Sequence, residues 1–231
     1  MVCAIVLSAG KGSRMGSDVP KQYLELSGHP IIYYPLKTFQ DSFVDKIVLV
    51  CASGDIDYCK KIVSDNGFDK VVAIVEGGKE RYHSVYNGLL AIPDADYVFI
   101  HDGARAFVDE DTLNRCYADV KKYKACVAAV PVKDTIKIGK DGFIESTPDR
   151  RTLYSMQTPQ TFEYDLIKGA YDKLIEEEQK ILSKGISVTD DTFVLELFSD
   201  TRVYLSEGSY NNIKITTPED LAFGKMLLDK R

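Results

Sequence analysis

The chain reads as an α/β fold: a mostly parallel, twisted sheet wrapped by helices. Short apolar runs rich in Val and Ile recur along it, with helix-like segments between them. The runs are nearly continuous in apolarity, as strands covered on both faces must be. A length of 231 residues suits one such domain, spanning 1–231, better than two. Hydrophobic content of 45% is enough to fill its core.

Residues 2–7 open the sheet. No basic segment precedes them and they run directly into glycines, so they read as a buried strand and not as a secretory leader. Further strands are expected at 46–51, 71–75, 97–101 and 125–130, with helices near 31–39, 55–65, 80–91 and 109–123 between them. At Pro131 the alternation stops. Residues 132–151 hold two short extended pieces around the turn Gly139-Lys140-Asp141-Gly142, and a protruding β-hairpin arm is expected there. Such a ribbon is only marginally stable alone, which favours packing against a partner chain; a lid and a solvated hairpin are the other uses. Helix returns at 164–183, where Glu176-Glu177-Glu178 reads as a solvated face. Near the end, Thr217 has the character of an N-cap, Pro218 of the first helical residue, and acids follow.

Composition excludes several classes. A net charge of −6 argues against a nucleic-acid partner, since phosphate backbones need a basic surface. It leaves room for small anionic substrates in a local basic pocket. No apolar run reaches bilayer-spanning length, so no membrane association is expected. The five cysteines (Cys3, Cys51, Cys59, Cys116, Cys126) form no CxxC pair and read as reduced thiols of a cytoplasmic protein. His29, His83 and His101 are not spaced as zinc ligands, and His101 reads as a hydrogen-bonded structural residue.

Chemistry concentrates after the first strand, in Leu7-Ser8-Ala9-Gly10-Lys11-Gly12-Ser13-Arg14-Met15-Gly16 followed by Pro20-Lys21-Gln22-Tyr23. A glycine-rich turn after a parallel strand can aim several backbone N–H groups at phosphate oxygens. The P-loop pattern GxxxxGK[ST] is absent, and GxGxxG fails because Gly16 lies four positions after Gly12. Pro20 also argues against one unbroken helix from the loop. What remains is a turn carrying Lys11, Arg14 and Lys21, three cations that suit a triphosphate. Lys11 stays open between phosphate contact and surface charge.

This segment resembles the nucleotidyltransferases that activate sugars and sugar alcohols, specifically the cytidylyltransferases acting on 2-C-methyl-D-erythritol 4-phosphate. The resemblance continues through Gly77-Gly78-Lys79-Glu80-Arg81-Tyr82-His83-Ser84-Val85, His101-Asp102-Gly103-Ala104-Arg105, Gln157-Thr158-Pro159-Gln160, Thr189-Asp190-Asp191 and Asn212-Ile213-Lys214. It implies a Rossmann-like nucleotidyltransferase fold and a homodimer joined through the arm. Arg14 and Lys21 are then the catalytic cations. Ala9, Gly10, Gly12, Lys21, Gly78, Ser84, Asp102 and Gly103 are the nucleotide-binding positions, with Ala9, Gly78 and Ser84 on the cytosine ring. Ser84 and Gly78 also admit plain helix-start and turn roles. Asp102, ending the fourth strand, is the expected Mg²⁺ ligand, where a carboxylate suits a cation shared with a triphosphate. Arg105, Thr135, Arg150, Thr158, Thr189 and Lys214 match the positions that hold the phosphorylated acceptor. Arg150 is preferred to Arg151 by its spacing to Thr158, and its guanidinium fork suits a phosphate monoester. A lysine at Lys214, inside an apolar strand-like run, is expected to face a cleft.

The partners so implied are CTP and a small sugar-alcohol phosphate. The acceptor's oxygen is already anionic, so no general base is needed: it attacks the CTP α-phosphorus in line and expels pyrophosphate. Two departures stand out, Ala106 where the family usually has proline and a longer helical stretch around 175–185. Two rivals remain. One is the cytidylyltransferase that makes CDP-ribitol, disfavoured by Ser155-Met156-Gln157-Thr158, where those enzymes usually show a Gly-Gln pair, and by Thr189-Asp190-Asp191. The other is a non-catalytic nucleotide-binding protein, disfavoured because Lys21, Asp102 and Lys214 are all present.

Overall fold

Side-chain alternation along the first strand shows how the sheet is buried. In β1 (Val2–Ser8), Val2, Ala4 and Val6 join one hydrophobic layer, while Cys3 and Ile5 join a second on the opposite face. The computed structural model describes residues 1–10, 19–92 and 94–229. After β1 come the short pair β2 (Glu25–Leu26) and β3 (His29–Pro30), then α1 (Tyr33–Asp41), β4 (Lys46–Cys51), α2 (Ile56–Asp65) and β5 (Val71–Glu76). Next are α3 (Arg81–Leu90), β6 (Tyr97–Asp102), α4 (Glu110–Tyr123) and β7 (Ala125–Pro131). The second half holds β8 (Ile138–Lys140), β9 (Phe143–Ser146), β10 (Tyr154–Glu163), α5 (Tyr164–Glu176), α6 (Glu178–Ser183), α7 (Asp191–Phe198), β11 (Tyr204–Glu207) and α8 (Pro218–Leu228).

Seven strands form one sheet in the order β11-β7-β10-β6-β1-β4-β5. The pairings β1–β4, β1–β6, β4–β5 and β11–β7 are parallel, and both antiparallel pairings belong to β10. Helices α1, α2 and α4 cover one face, burying Leu36, Phe39, Ile62 and Leu113. Helices α3, α5 and α7 cover the other with Val85, Leu89, Ile167, Tyr171 and Leu195. A third cluster, around Leu26, Phe107 and Ile215, packs beneath α8. No described helix is long and apolar enough to cross a membrane, and all five cysteines are free and buried.

The expected parallel strands and the helices between them are present to within a residue or two. Asp109 caps α4 by accepting from Thr112 N at 2.8 Å, and Thr217 and Asp220 form a reciprocal capping box on α8. The expected helix over 164–183 is two helices, because Glu177 leaves helical geometry between α5 and α6. The run around Lys214 is not a sheet strand; it is an irregular segment held by Ile215 N donating to Ala104 O at 2.9 Å. Within the 132–151 arm, β8 and β9 pair antiparallel, and their residues are exposed on both faces.

Helix α3 lies tightly against the sheet at Gly88, where a Cβ would stand 2.7 Å from Ile5 Cγ2. Gly88→Val is therefore expected to destabilise the fold by about 2 kcal/mol through overpacking, read by urea unfolding.

Candidate active site

Strand order reverses at β1. The chain moves from it to β4 and β5 on one side, then returns to β6 on the other. At such a switch point the carboxyl ends of the strands part and leave a crevice. A cavity of about 430 Å³ sits there. Leu7, Ser8, Ala9 and Gly10 line it after β1, and Lys21 and Gln22 enter from the 3-10 turn Lys21–Tyr23. Gly78, Lys79, Glu80, Arg81 and Ser84 line it from the β5–α3 connection; Asp102, Ala104 and Lys214 complete it.

Each segment is held there by a specific contact. Buried Gln22 donates from Nε2 to Ser8 O at 2.7 Å and Gly10 O at 3.1 Å, tying the Lys21 turn to the chain leaving β1. The β5–α3 turn requires glycine. A Cβ on Gly77 would lie 2.4 Å from Ala9 Cβ, and one on Gly78 would lie 2.2 Å from His83 Cβ. Ser84 Oγ accepts from Gly78 N at 3.0 Å. Lys214 arrives on a segment fastened by buried Asn212, whose Nδ2 donates to Thr158 O at 2.8 Å.

Asp102 is the electrostatic centre. Its Oδ2 takes Lys214 Nζ at 2.6 Å and its Oδ1 faces Arg81 Nε at 3.3 Å. Burial works to raise this carboxyl, but the Arg81 and Lys214 cations outweigh it and hold it well below the usual carboxylate range. Arg81 is gripped from behind: Nη1 and Nη2 donate to the two oxygens of fully buried Asp191 at 2.7 and 2.8 Å. Asp191 also accepts from Tyr171 Oη at 2.6 Å, while Gln160 Oε1 accepts from the Asp191 N–H at 2.9 Å. Next to Asp102, Thr158 Oγ1 accepts from Asp102 N at 3.1 Å and contacts His101 Nδ1 at 3.0 Å. The Thr158 hydroxyl proton then points at Nδ1, which puts the ring proton on Nε2, 3.1 Å from Arg105 O. Burial lowers the His101 pKa to about 4, so it is a neutral structural residue at neutral pH.

Of the expected site residues, Ala9, Gly10, Lys21, Gly78, Ser84, Asp102 and Lys214 converge on the cavity. Arg14 and Gly12, like Lys11, lie outside the described residues. Gly103 is adjacent and packs against the β1 backbone, where a Cβ would meet Leu7 O at 2.7 Å. Arg105 directs its guanidinium to Asn212 O and Met156 O, and Thr158 is buried behind Asp102. Thr135, Arg150 and Thr189 are exposed and are not among the residues lining the cavity, with Arg150 donating to Lys133 O at the foot of the arm. At the departure from proline, Ala106 is fully buried beside Phe107 and Ile215, so packing holds the loop. Sequence reasoning missed Arg81, Asp191, Gln22 and Gln160. The available signals were an arginine opening a helix beside a glycine turn and a carboxylate just inside another helix start.

The sequence profile of the family described as 2-C-methyl-D-erythritol 4-phosphate cytidylyltransferase matches residues 2–230. The chain belongs to this family. Among its relatives, the 2-C-methyl-D-erythritol 4-phosphate cytidylyltransferase of Clostridium novyi is 50% identical over 230 residues, covering 98% of this chain and 96% of that protein. The one from Lachnoclostridium phytofermentans is 48% identical over 229 residues, covering 98% and 96%. The crystal structure of 4-diphosphocytidyl-2C-methyl-D-erythritol synthase from Anaerococcus prevotii superposes with a TM-score of 0.85 at 33% identity, covering 99% of this chain and 96% of that one. The family fold is thus the one seen here, a mixed, mostly parallel seven-stranded sheet flanked by helices.

Removing one member of a buried ion pair strands the other. Asp191→Asn is expected to lower stability by about 3 kcal/mol, read from urea unfolding.

Proposed function

We propose that this chain joins CTP to 2-C-methyl-D-erythritol 4-phosphate, giving CDP-methylerythritol and pyrophosphate for isoprenoid precursor synthesis. The observation that carries the reading is the placement of Lys21, Asp102 and Lys214 on one cavity at the sheet's switch point, in a member of this family. Five unpaired cysteines fit a cytoplasmic setting.

The acceptor's phosphate oxygen attacks the CTP α-phosphorus; the bond from that phosphorus to the bridging oxygen breaks, and pyrophosphate leaves with the electron pair. Protein chemistry here is positioning and charge compensation. Lys21 stabilises the charge gathering on the α-phosphoryl group, and Arg14 is assigned the same task by resemblance. The Gly77-Gly78 turn, Ser84 and Ala9 receive the base, Gly10 borders the nucleotide, and Gly12 and Gly103 are assigned to it by resemblance. Lys214 meets the anionic substrates while neutralising Asp102. Arg105, Thr135, Arg150, Thr158 and Thr189 are assigned to the acceptor side by resemblance. Arg150 and Thr135 sit at the base of the arm, outside the cavity lining.

Among the described residues no three His, Cys, Asp or Glu side chains come together as a metal cage. Asp102, ionised at the cavity wall and held by Lys214 and Arg81, fits Mg²⁺, which binds through one or two carboxylates and shares its remaining positions with phosphate oxygens and water. When bound, the cation would neutralise charge on the triphosphate.

The arm supports a homodimer. Phe143 is 80% exposed and Ile144 69%, on a ribbon whose β8 and β9 residues are all exposed.

Three measurements test this reading. Pyrophosphate release is expected with CTP and methylerythritol phosphate and not with CTP and ribitol 5-phosphate; the reverse preference would move the chain to the ribitol enzymes. Lys21→Ala is expected to lower turnover by about two to three decades while the fold persists, checked by steady-state kinetics beside circular dichroism. Phe143→Glu with Ile144→Glu is expected to convert a dimer to a monomer in sedimentation velocity, and a wild-type monomer at the same concentration would discard the dimer.

A further inference from the structure

The reaction above gives helix α6 no task. Its first residue, however, is tied to the turn that receives the base. Glu178 Oε1 accepts from Tyr82 Oη at 2.6 Å and lies 3.1 Å from His83 Nε2. His83 Nδ1 accepts from Glu80 N at 3.2 Å, which puts the ring proton on Nε2, facing the Glu178 carboxylate. The Glu80 side chain in turn accepts from the His83 N–H, closing the capping box of α3. On its other side His83 abuts the cavity turn, where a Cβ on Gly78 would stand 2.2 Å from His83 Cβ. The preceding Gly77 is as close to Ala9. The turn therefore lies between the end of β1 and one histidine, too close to either to admit a side chain, so a shift of that histidine bears directly on the turn.

We infer that His83, braced by Glu178 of α6, is a positioning residue that sets the shape of the Gly77-Gly78 turn for the nucleotide. The inference rests on the CTP reading above and extends it to the helix beyond the site. His83 touches no reacting atom; it acts through the Gly78 backbone and through Ser84, one position further along α3. Loss of the brace loosens the base-binding turn and leaves the phosphate-handling cations where they are.

The test compares Glu178→Ala, Glu178→Gln and Tyr82→Phe in the full-length enzyme by steady-state kinetics and by calorimetric titration with CTP alone. Glu178→Ala is expected to raise KM for CTP, and its Kd, about fivefold, the equivalent of one lost hydrogen bond, with kcat and the acceptor KM unchanged. Glu178→Gln keeps an acceptor oxygen for His83 and is expected to behave as wild type. Tyr82→Phe removes the other bond to Glu178 but leaves His83 in place, and CTP affinity is expected to hold. An unchanged CTP KM in Glu178→Ala, or an equal loss in Tyr82→Phe, overturns the inference by reducing the contact to general packing. Should Glu178→Ala fail to fold, His83→Asn, which keeps an acceptor near the Nδ1 position and loses the Nε2 donor, must show the same rise in KM. Wild-type protein that binds CTP but releases no pyrophosphate counts against the reaction, and the brace is then decided by CTP Kd alone; wild-type protein that binds no CTP overturns both.

Discussion

Burial of the Asp102 carboxylate is the constraint around which the site is organised. An isolated ionised carboxylate taken out of water is strongly disfavoured unless cations and hydrogen bonds compensate it. Here Arg81 arrives from the first turn of α3, Lys214 from the segment before α8, and Thr158 from β10, all onto the tip of β6. Asp191, at the start of α7, then balances the second face of Arg81. The ion pairs at Asp102 and Arg81, with the Thr158 bond to the Asp102 backbone N–H, thus fasten five distant parts of the chain to one another, and the cavity is the space left between them.

What could be read from the sequence follows from the same physics. The parallel strands were legible because burial on both faces demands uninterrupted Val and Ile, and the observed β1 and β6 run one residue past the expected ends only because Ser8 and Asp102 still pair in the ladder. Strand β10 was not legible. It carries Gln157, Thr158 and Pro159 at its centre, the register shifts between Met156 and Gln160, and Pro within a run normally argues against an interior strand. The break between α5 and α6 has no glycine or proline to announce it; three successive glutamates look the same in one helix as in two. Within the site, the glycine turns, Asp102 and Lys214 were legible from their places after strands or in apolar surroundings. Arg81 was not, because an arginine in a helical first turn reads as a surface cation until Asp191, 110 positions later, is known to lie against it. Contacts of that separation belong to tertiary structure alone.

The reversed strand has a further consequence, for the order in which the sheet is completed. β6, β1, β4 and β5 bond to one another, β7 bonds to β11, and only β10 bonds to both groups. β10 is a suture between two otherwise separate pieces of sheet. During synthesis on the ribosome the first four-stranded piece can close once residue 102 has emerged, since none of its pairings needs anything later. β7 follows soon after and finds no neighbour, remaining an open edge until residues 154–163 are made. The nascent chain therefore passes through an interval in which an all-apolar strand awaits its partner, and the segment made during that interval is the arm.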